Sequence, residues 1–167
     1  QIQKRQRVVH HKAMPYDKVP KFFASIKDDP SLSARALVFC ILTATRTSET
    51  IEAVWDEVDI DKKCWTIPKE RMKRSIEHRV PLAKQVCEVL IAMDQTKSDY
   101  LFYSEKTKKN AVEFLPNKNK PMSNMSMLTY LKRKDGCSDL TVHGFRSSFR
   151  DWAAEKGNFQ REVCEQA

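Results

Sequence analysis

Two clusters built around arginine could do chemistry. In the first, Arg46 lies in Ala44-Thr45-Arg46-Thr47-Ser48-Glu49, with an acid three residues on. In the second, His143-Gly144-Phe145-Arg146 sets an imidazole and a guanidinium three residues apart. Guanidinium forks match phosphate oxygens and an imidazole can move a proton, so the pair points to phosphate chemistry on DNA. Each cluster also has an ordinary structural explanation. Arg46 and Glu49 can form an ion pair that partners a charge beside an apolar helix, and an H-x-x-R at a helix start is commonly a surface feature. A third cluster, Arg71-Met72-Lys73-Arg74, occupies a basic turn from which a lysine could reach a phosphodiester oxygen. Lys69 and Arg74 rival Lys73 for that part, and any of them can simply be solvated.

Hydrophobic periodicity and caps indicate the elements that must position these residues. Asp17 is placed to cap a helix to about Lys27, with Val19, Phe22, Phe23 and Ile26 on one side. Ser31 or Ser33 can cap a second helix, apolar almost all round through Leu37, Val38, Cys40, Ile41 and Leu42, which is expected to be central and to end near Thr45. A short helix follows over Ser48 to Val54, with Trp55 covering the core below. Cys64 to Ile67 and His78 to Val80 read as strands joined by the basic turn, which lacks the glycine of tight hairpins and so is expected to be a longer loop. Ala83 to Met93 is an amphipathic helix, Tyr100 to Tyr103 an extended segment, and residues 104 to 121 a polar loop. Ser123 is placed to cap a helix to about Lys134, and Thr141 the helix that carries His143 and Arg146; another helix is expected to begin after Gly157. On the Thr141 helix, Phe145, Phe149 and Trp152 form the expected buried stripe. His143, Arg146 and Arg150 form a polar stripe whose first turn presents free backbone N–H groups to an anion. The fold expected is mostly α with a small antiparallel β hairpin or sheet.

Composition narrows the partner. The 167 residues, about one domain long, carry a net charge of +8 and a pI near 9.3, which favours a polyanion: nucleic acid first, an anionic membrane surface second. Residues 47 to 61 hold six acids and no Lys or Arg, whereas residues 62 to 84 hold eight Lys or Arg against two Glu. The five cysteines form no C-x-x-C and no Cys/His cluster, so reduced thiols in a cytoplasmic protein are expected, and no metal. No stretch approaches a membrane span.

Taken together, Thr43 to Glu49, the basic hairpin from Trp65 to Val80-Pro81-Leu82, and His143 to Arg146 resemble the catalytic domain of tyrosine recombinases, particularly prophage and genomic-island integrases. The match runs in order from about Pro15 to Ala167. The resemblance implies that Arg46 and Arg146 clamp the scissile phosphate, that Lys73 is the general acid for the leaving 5′ oxygen, that His143 shares proton transfer, and that Glu49 supports Arg46. It implies further DNA contacts from Lys69, Arg71, Arg74 and Arg150, and a 3′-phosphotyrosine intermediate with neither metal nor nucleotide cofactor. It also implies double-stranded DNA attachment sites as partner, self-association on DNA, and a bacterial cytoplasmic, nucleoid-associated location. The family's tyrosine lies well beyond its H-x-x-R block, whereas Tyr16, Tyr100, Tyr103 and Tyr130 all precede His143. Residues 1–15 are therefore expected to be a linker from an amino-terminal DNA-binding domain. Residues 16–167 are expected to be a catalytic domain without its nucleophile, unable to cleave alone. Two alternatives stay open: a non-catalytic DNA-binding protein with a degenerate domain of this kind, and a metal-dependent nuclease, which would need a carboxylate cluster near His143.

Overall fold

Helix α2 (Leu32–Thr43) is the centre of the molecule, as its nearly unbroken apolar surface predicts. In the structure, a computed structural model that describes residues 12–104, 120–157 and 159, α2 packs against α1 (Val19–Ile26), α3 (Thr47–Ile51), α4 (Lys84–Ile91), α5 (Ser126–Lys132) and α6 (Val142–Glu155). Ser31 provides the cap, its Oγ accepting from the Ala34 amide at 3.4 Å. Asp17 does not cap α1: it lies in a single 3-10 turn, Tyr16–Lys18, and Lys18 takes the cap position instead. Phe39 anchors the core, meeting Trp65 edge-on at 5.0 Å and Phe102 at 5.4 Å.

A three-stranded antiparallel sheet, β1 (Val58–Asp59), β2 (Cys64–Ile67) and β3 (His78–Pro81), covers one side of this core. Trp65 pairs with Val80 and Ile67 with His78, and the alternation along β2 turns Trp65 and Ile67 inward. Strand β1 went unread in the sequence because two residues inside an acidic run show no alternation. Tyr100 and Tyr103 make isolated bridges to Val54 and Pro121. Ser123 accepts from the Met125 amide, but α5 begins only at Ser126. Most of the expected polar loop and the helix expected after Gly157 lie outside the described residues.

Helix α6 starts as predicted, with the Thr141 hydroxyl accepting from the Gly144 amide at 3.1 Å. Its buried line differs from expectation. Val142, Phe145, Ser148 and Ala153 face inward and Phe149 is half-buried, while Trp152 is 42% exposed. One helical step past Trp152 the small Ala153 meets the core. The indole is left on the rim against Phe149 and Phe159.

Residues 12–15, the end of the expected linker or arm, are strapped across the first turns of α6. Met14 is buried, its carbonyl accepts the Ser148 hydroxyl, and Lys12 pairs with Asp139 at 2.8 Å. The strap explains Gly144: a Cβ there would lie 2.9 Å from both Ala13 Cα and the Lys12 carbonyl oxygen. Alanine is the better helix former by about 1 kcal/mol, yet forcing backbone apart in a packed site costs about 1–3 kcal/mol. Gly144→Ala should therefore lower the melting temperature, by roughly 2–4 °C per kcal/mol for a chain of this size. An unchanged or raised melting temperature would show that the strap yields freely.

A second tie joins the α1–α2 turn to α5. The Asp29 carboxylate accepts from the Tyr130 hydroxyl at 2.7 Å and the Ser31 amide at 3.0 Å, with Lys134 Nζ at 3.7 Å. These donors, Tyr130 foremost, hold Asp29 down to about 2 from its ordinary 3.8. The stabilisation is thus present above about pH 4 and fades as pH falls through about 2. Tyr130→Phe should cost about 1–2 kcal/mol at pH 7 in a denaturant titration, and the difference should shrink when the titration is repeated near pH 2.

Candidate functional site

Arg46 is held at a corner that the sequence builds from both sides. Helix α2 ends at Ala44, whose φ of 52° is left-handed and turns the chain sharply. Thr45 then folds inward, and its hydroxyl links Thr43 at 2.9 Å to the fully buried Thr50 at 3.0 Å. Arg46 follows as the residue before the first turn of α3. Three residues on, Glu49 accepts from the Arg46 amide at 2.8 Å through one carboxylate oxygen and pairs with Arg46 Nη1 through the other. Glu49 is only 5% exposed. A buried carboxylate needs such partners, and in return it fixes the direction of the guanidinium.

Arg146, 100 residues further along the chain, comes to the same corner. It lies in the second turn of α6, half-buried, and its Nη1 donates to the Ala44 carbonyl at 2.5 Å. The left-handed turn thus serves both arginines, setting the path into Arg46 and offering a carbonyl to Arg146. Burial foremost, and then the Arg46 charge, push the Arg146 guanidinium below its usual range; Glu49 opposes them, and Arg150 adds to the repulsion. Guanidinium remains protonated at neutral pH even so. Two like charges held together in a partly buried site are stabilised by an anion placed between them.

The basic hairpin supplies the facing wall. After β2 a 3-10 turn, Lys69–Arg71, leads into Met72, and the Ser75 amide closes a tight turn onto the Met72 carbonyl at 2.9 Å with Ser75 at φ 51°. The connection from Ile67 to His78 is a long loop, as the missing glycine suggested, and inside its one tight turn serine takes the left-handed position that a glycine would usually fill. Arg46, Glu49, Lys73, Arg74 and Arg146 line one open groove of about 980 Å³, together with Ile76, His78 and Phe149.

The other predicted residues fall elsewhere. His143 is exposed on the first turn of α6 and Arg150 is exposed one turn beyond Arg146; Lys69 is exposed on the 3-10 turn, and none of the three lines the groove. Arg71 turns inward. Its side chain is 18% exposed, Nη1 contacts the two Glu57 oxygens at 2.5 and 2.6 Å, and Nη2 donates to the Glu49 carbonyl at 2.6 Å. A guanidinium with two partners beneath the surface is not available to a phosphate, so Arg71 is withdrawn from the expected DNA contacts. Glu57 went unremarked in the sequence, where it is one acid of six. It lies fourteen residues from Arg71, across β1 and β2, so no local signal in the sequence marks the pairing.

Residues 12–166 match the phage integrase family. The chain belongs to that family. Among curated members, it is 30% identical over 166 residues to "Prophage integrase IntZ" of Escherichia coli strain K12, covering 97% of this chain and 38% of that protein. It is 28% identical over 172 residues to the integrase of Enterobacteria phage P4, covering 93% and 37%. The chain therefore spans well under half the length of these integrases. In fold it is similar to the crystal structure of XerA recombinase, with a TM-score of 0.65 at 16% identity, covering 99% of this chain and 57% of that one. It is equally similar to a lambda integrase tetramer bound to a Holliday junction, with a TM-score of 0.65 at 13% identity, covering 99% and 48%. The mostly helical fold with a small antiparallel sheet is thus the tyrosine recombinase catalytic-domain fold. No helix among the described residues is long and apolar enough to cross a membrane.

Proposed function

We propose that this integrase-family chain is the catalytic core of a site-specific DNA recombinase that cuts and rejoins duplex DNA through a 3′-phosphotyrosine. The observation that carries the reading is the convergence of Arg46, Arg146 and Lys73, from three distant stretches of sequence, on one open groove. In this reading the two guanidinium groups hold the non-bridging oxygens of the scissile phosphate and take up the charge that develops in an in-line displacement. The Lys73 ammonium gives its proton to the departing 5′ oxygen, and His143, on the first turn of α6, shares proton transfer or hydrogen-bonds the phosphate. Glu49 keeps Arg46 aligned. Lys69, Arg74 and Arg150 contribute phosphate contacts around the groove. The energy of the broken phosphodiester stays in the tyrosyl ester, so rejoining needs no nucleotide cofactor.

The nucleophile in this reading is a tyrosine beyond Ala167. Tyr16 and Tyr130 donate their hydroxyls to Glu155 and Asp29, and no tyrosine is among the residues that line the groove. The 167-residue chain by itself then binds duplex DNA without cutting it. The full protein works in the bacterial cytoplasm on chromosomal attachment sites and self-associates there. Binding should weaken with salt by about −0.9 log units per log unit of salt for each phosphate neutralised.

The deciding experiment incubates the protein, extended through its native stop codon, with nicked duplexes that trap a covalent intermediate. A protein–DNA adduct on a denaturing gel, mapped by mass spectrometry to a tyrosine beyond Ala167, is the expected result. Duplex binding with no adduct would overturn the catalytic reading in favour of a DNA-binding protein with a degenerate site.

A further inference from the structure

We infer that Arg71 is a positioning residue: anchored to Glu57 and to the Glu49 carbonyl, it fixes where the hairpin presents Lys73 to the arginine pair. The inference rests on the recombinase reading of the groove. Lys73 and Arg74 project from a turn on the wall opposite Arg46, and what fixes that turn is the pair of residues just before Lys73. Met72 is half-buried and packs against the core. Arg71 points the other way, into a polar joint with three arms. Its Nη1 grips the Glu57 carboxylate, which also accepts the Trp65 indole N–H at 2.9 Å and so is itself tied to β2. Its Nη2 donates at 2.6 Å to the backbone carbonyl of Glu49, the residue whose side chain orients Arg46. Its Nε lies 3.8 Å from Glu52, beyond hydrogen-bond reach.

One guanidinium therefore bridges the lysine hairpin to the very helix turn that holds the first arginine. The span from Lys73 to Arg46 is set by a planar, rigid fork and not by a flexible loop. A lysine at position 71 lacks the planar fork, so its single nitrogen cannot reproduce the separate Nη1 and Nη2 contacts to Glu57 and the Glu49 carbonyl in the same geometry.

The test separates this effect from general loss of structure. In cleavage the tyrosine hydroxyl gives its proton to His143 as its oxygen bonds to phosphorus, the bond from phosphorus to the 5′ oxygen breaks, and the 5′ oxygen takes a proton from Lys73. With sulfur at the 5′ bridging position the leaving group departs as a thiolate and needs no proton. The extended protein carrying Arg71→Lys should cleave the ordinary duplex at least about tenfold more slowly than wild type, in line with a weakened general acid. The same variant should recover to within about threefold on the sulfur-bridged duplex, as Lys73→Ala should, with duplex affinity unchanged. The double variant Glu57→Gln with Arg71→Met, which removes both buried charges together, should behave likewise.

Equal defects on both substrates, or no defect, would overturn the inference. Loss of the folded state in both variants, by thermal melting, would do so too, since Arg71 would then serve the fold at large. Failure of the wild-type protein to cleave either duplex is a separate result that removes the recombinase reading itself.

Discussion

Arg146→Ala in the extended protein should slow DNA cleavage by about 10²–10³-fold, the usual loss when one preorganised donor is taken from a developing oxyanion. Arg46→Ala should do the same. Duplex affinity should fall far less, because in the proposed reading many phosphate contacts share the binding energy and few touch the reacting phosphate. Single-turnover cleavage together with filter binding on the same duplex measures both quantities. The two variants should differ in stability. Arg146→Ala removes a donor from the Ala44 carbonyl, a loss of about 1 kcal/mol. Arg46→Ala strips the ion-pair partner from a carboxylate that is 5% exposed, leaving it the backbone amide alone, and should lower the melting temperature more. Normal cleavage by both variants would mean that the groove is not where the phosphate reacts.

Lys73→Ala should reduce the cleavage rate by about 10²–10⁴-fold, the range for loss of a positioned general acid. Lys69→Ala and Arg74→Ala should each change it by less than about tenfold. The three are neighbours in sequence and equal in charge, so the ranking comes from geometry and chemistry. Lys69 does not line the groove, whereas Lys73 and Arg74 do. Between those two, a guanidinium is too weak an acid to release its proton at neutral pH, whereas an ammonium can. A larger defect for Arg74→Ala than for Lys73→Ala would reverse the assignment.

The comparison of Lys73 with Arg71 shows where sequence stops being informative. Both lie in one basic tetrapeptide, and a phosphate contact was expected of each. In the folded chain they part company, since the 3-10 turn Lys69–Arg71 directs Arg71 to Glu57 and the Glu49 carbonyl, and leaves Lys73 exposed on the loop. Nothing local distinguishes them, because the carboxylate that captures Arg71 is fourteen residues away. Trp152 teaches the same lesson. Its spacing from Phe145 and Phe149 is right for a buried stripe, but burial depends on what the helix meets, and at that turn Ala153 meets the core instead.

What the sequence determined by itself is local: α2 from its all-round apolar surface and its Ser31 cap, α6 from Thr141, β2 and β3 from their alternation, the Arg46–Glu49 pair from a spacing of three, and the basic character of the hairpin. These depend on neighbours within a turn or two of chain, so residue type and spacing suffice. Tertiary structure alone decided the rest. It brought Arg146 to the Ala44 carbonyl across 102 residues, turned Arg71 inward and Lys73 outward, and laid residues 12–15 against Gly144. Each of these is a contact between distant segments, and its free energy comes from burying apolar surface and from pairing the charges buried with it, which no short stretch of chain can do alone.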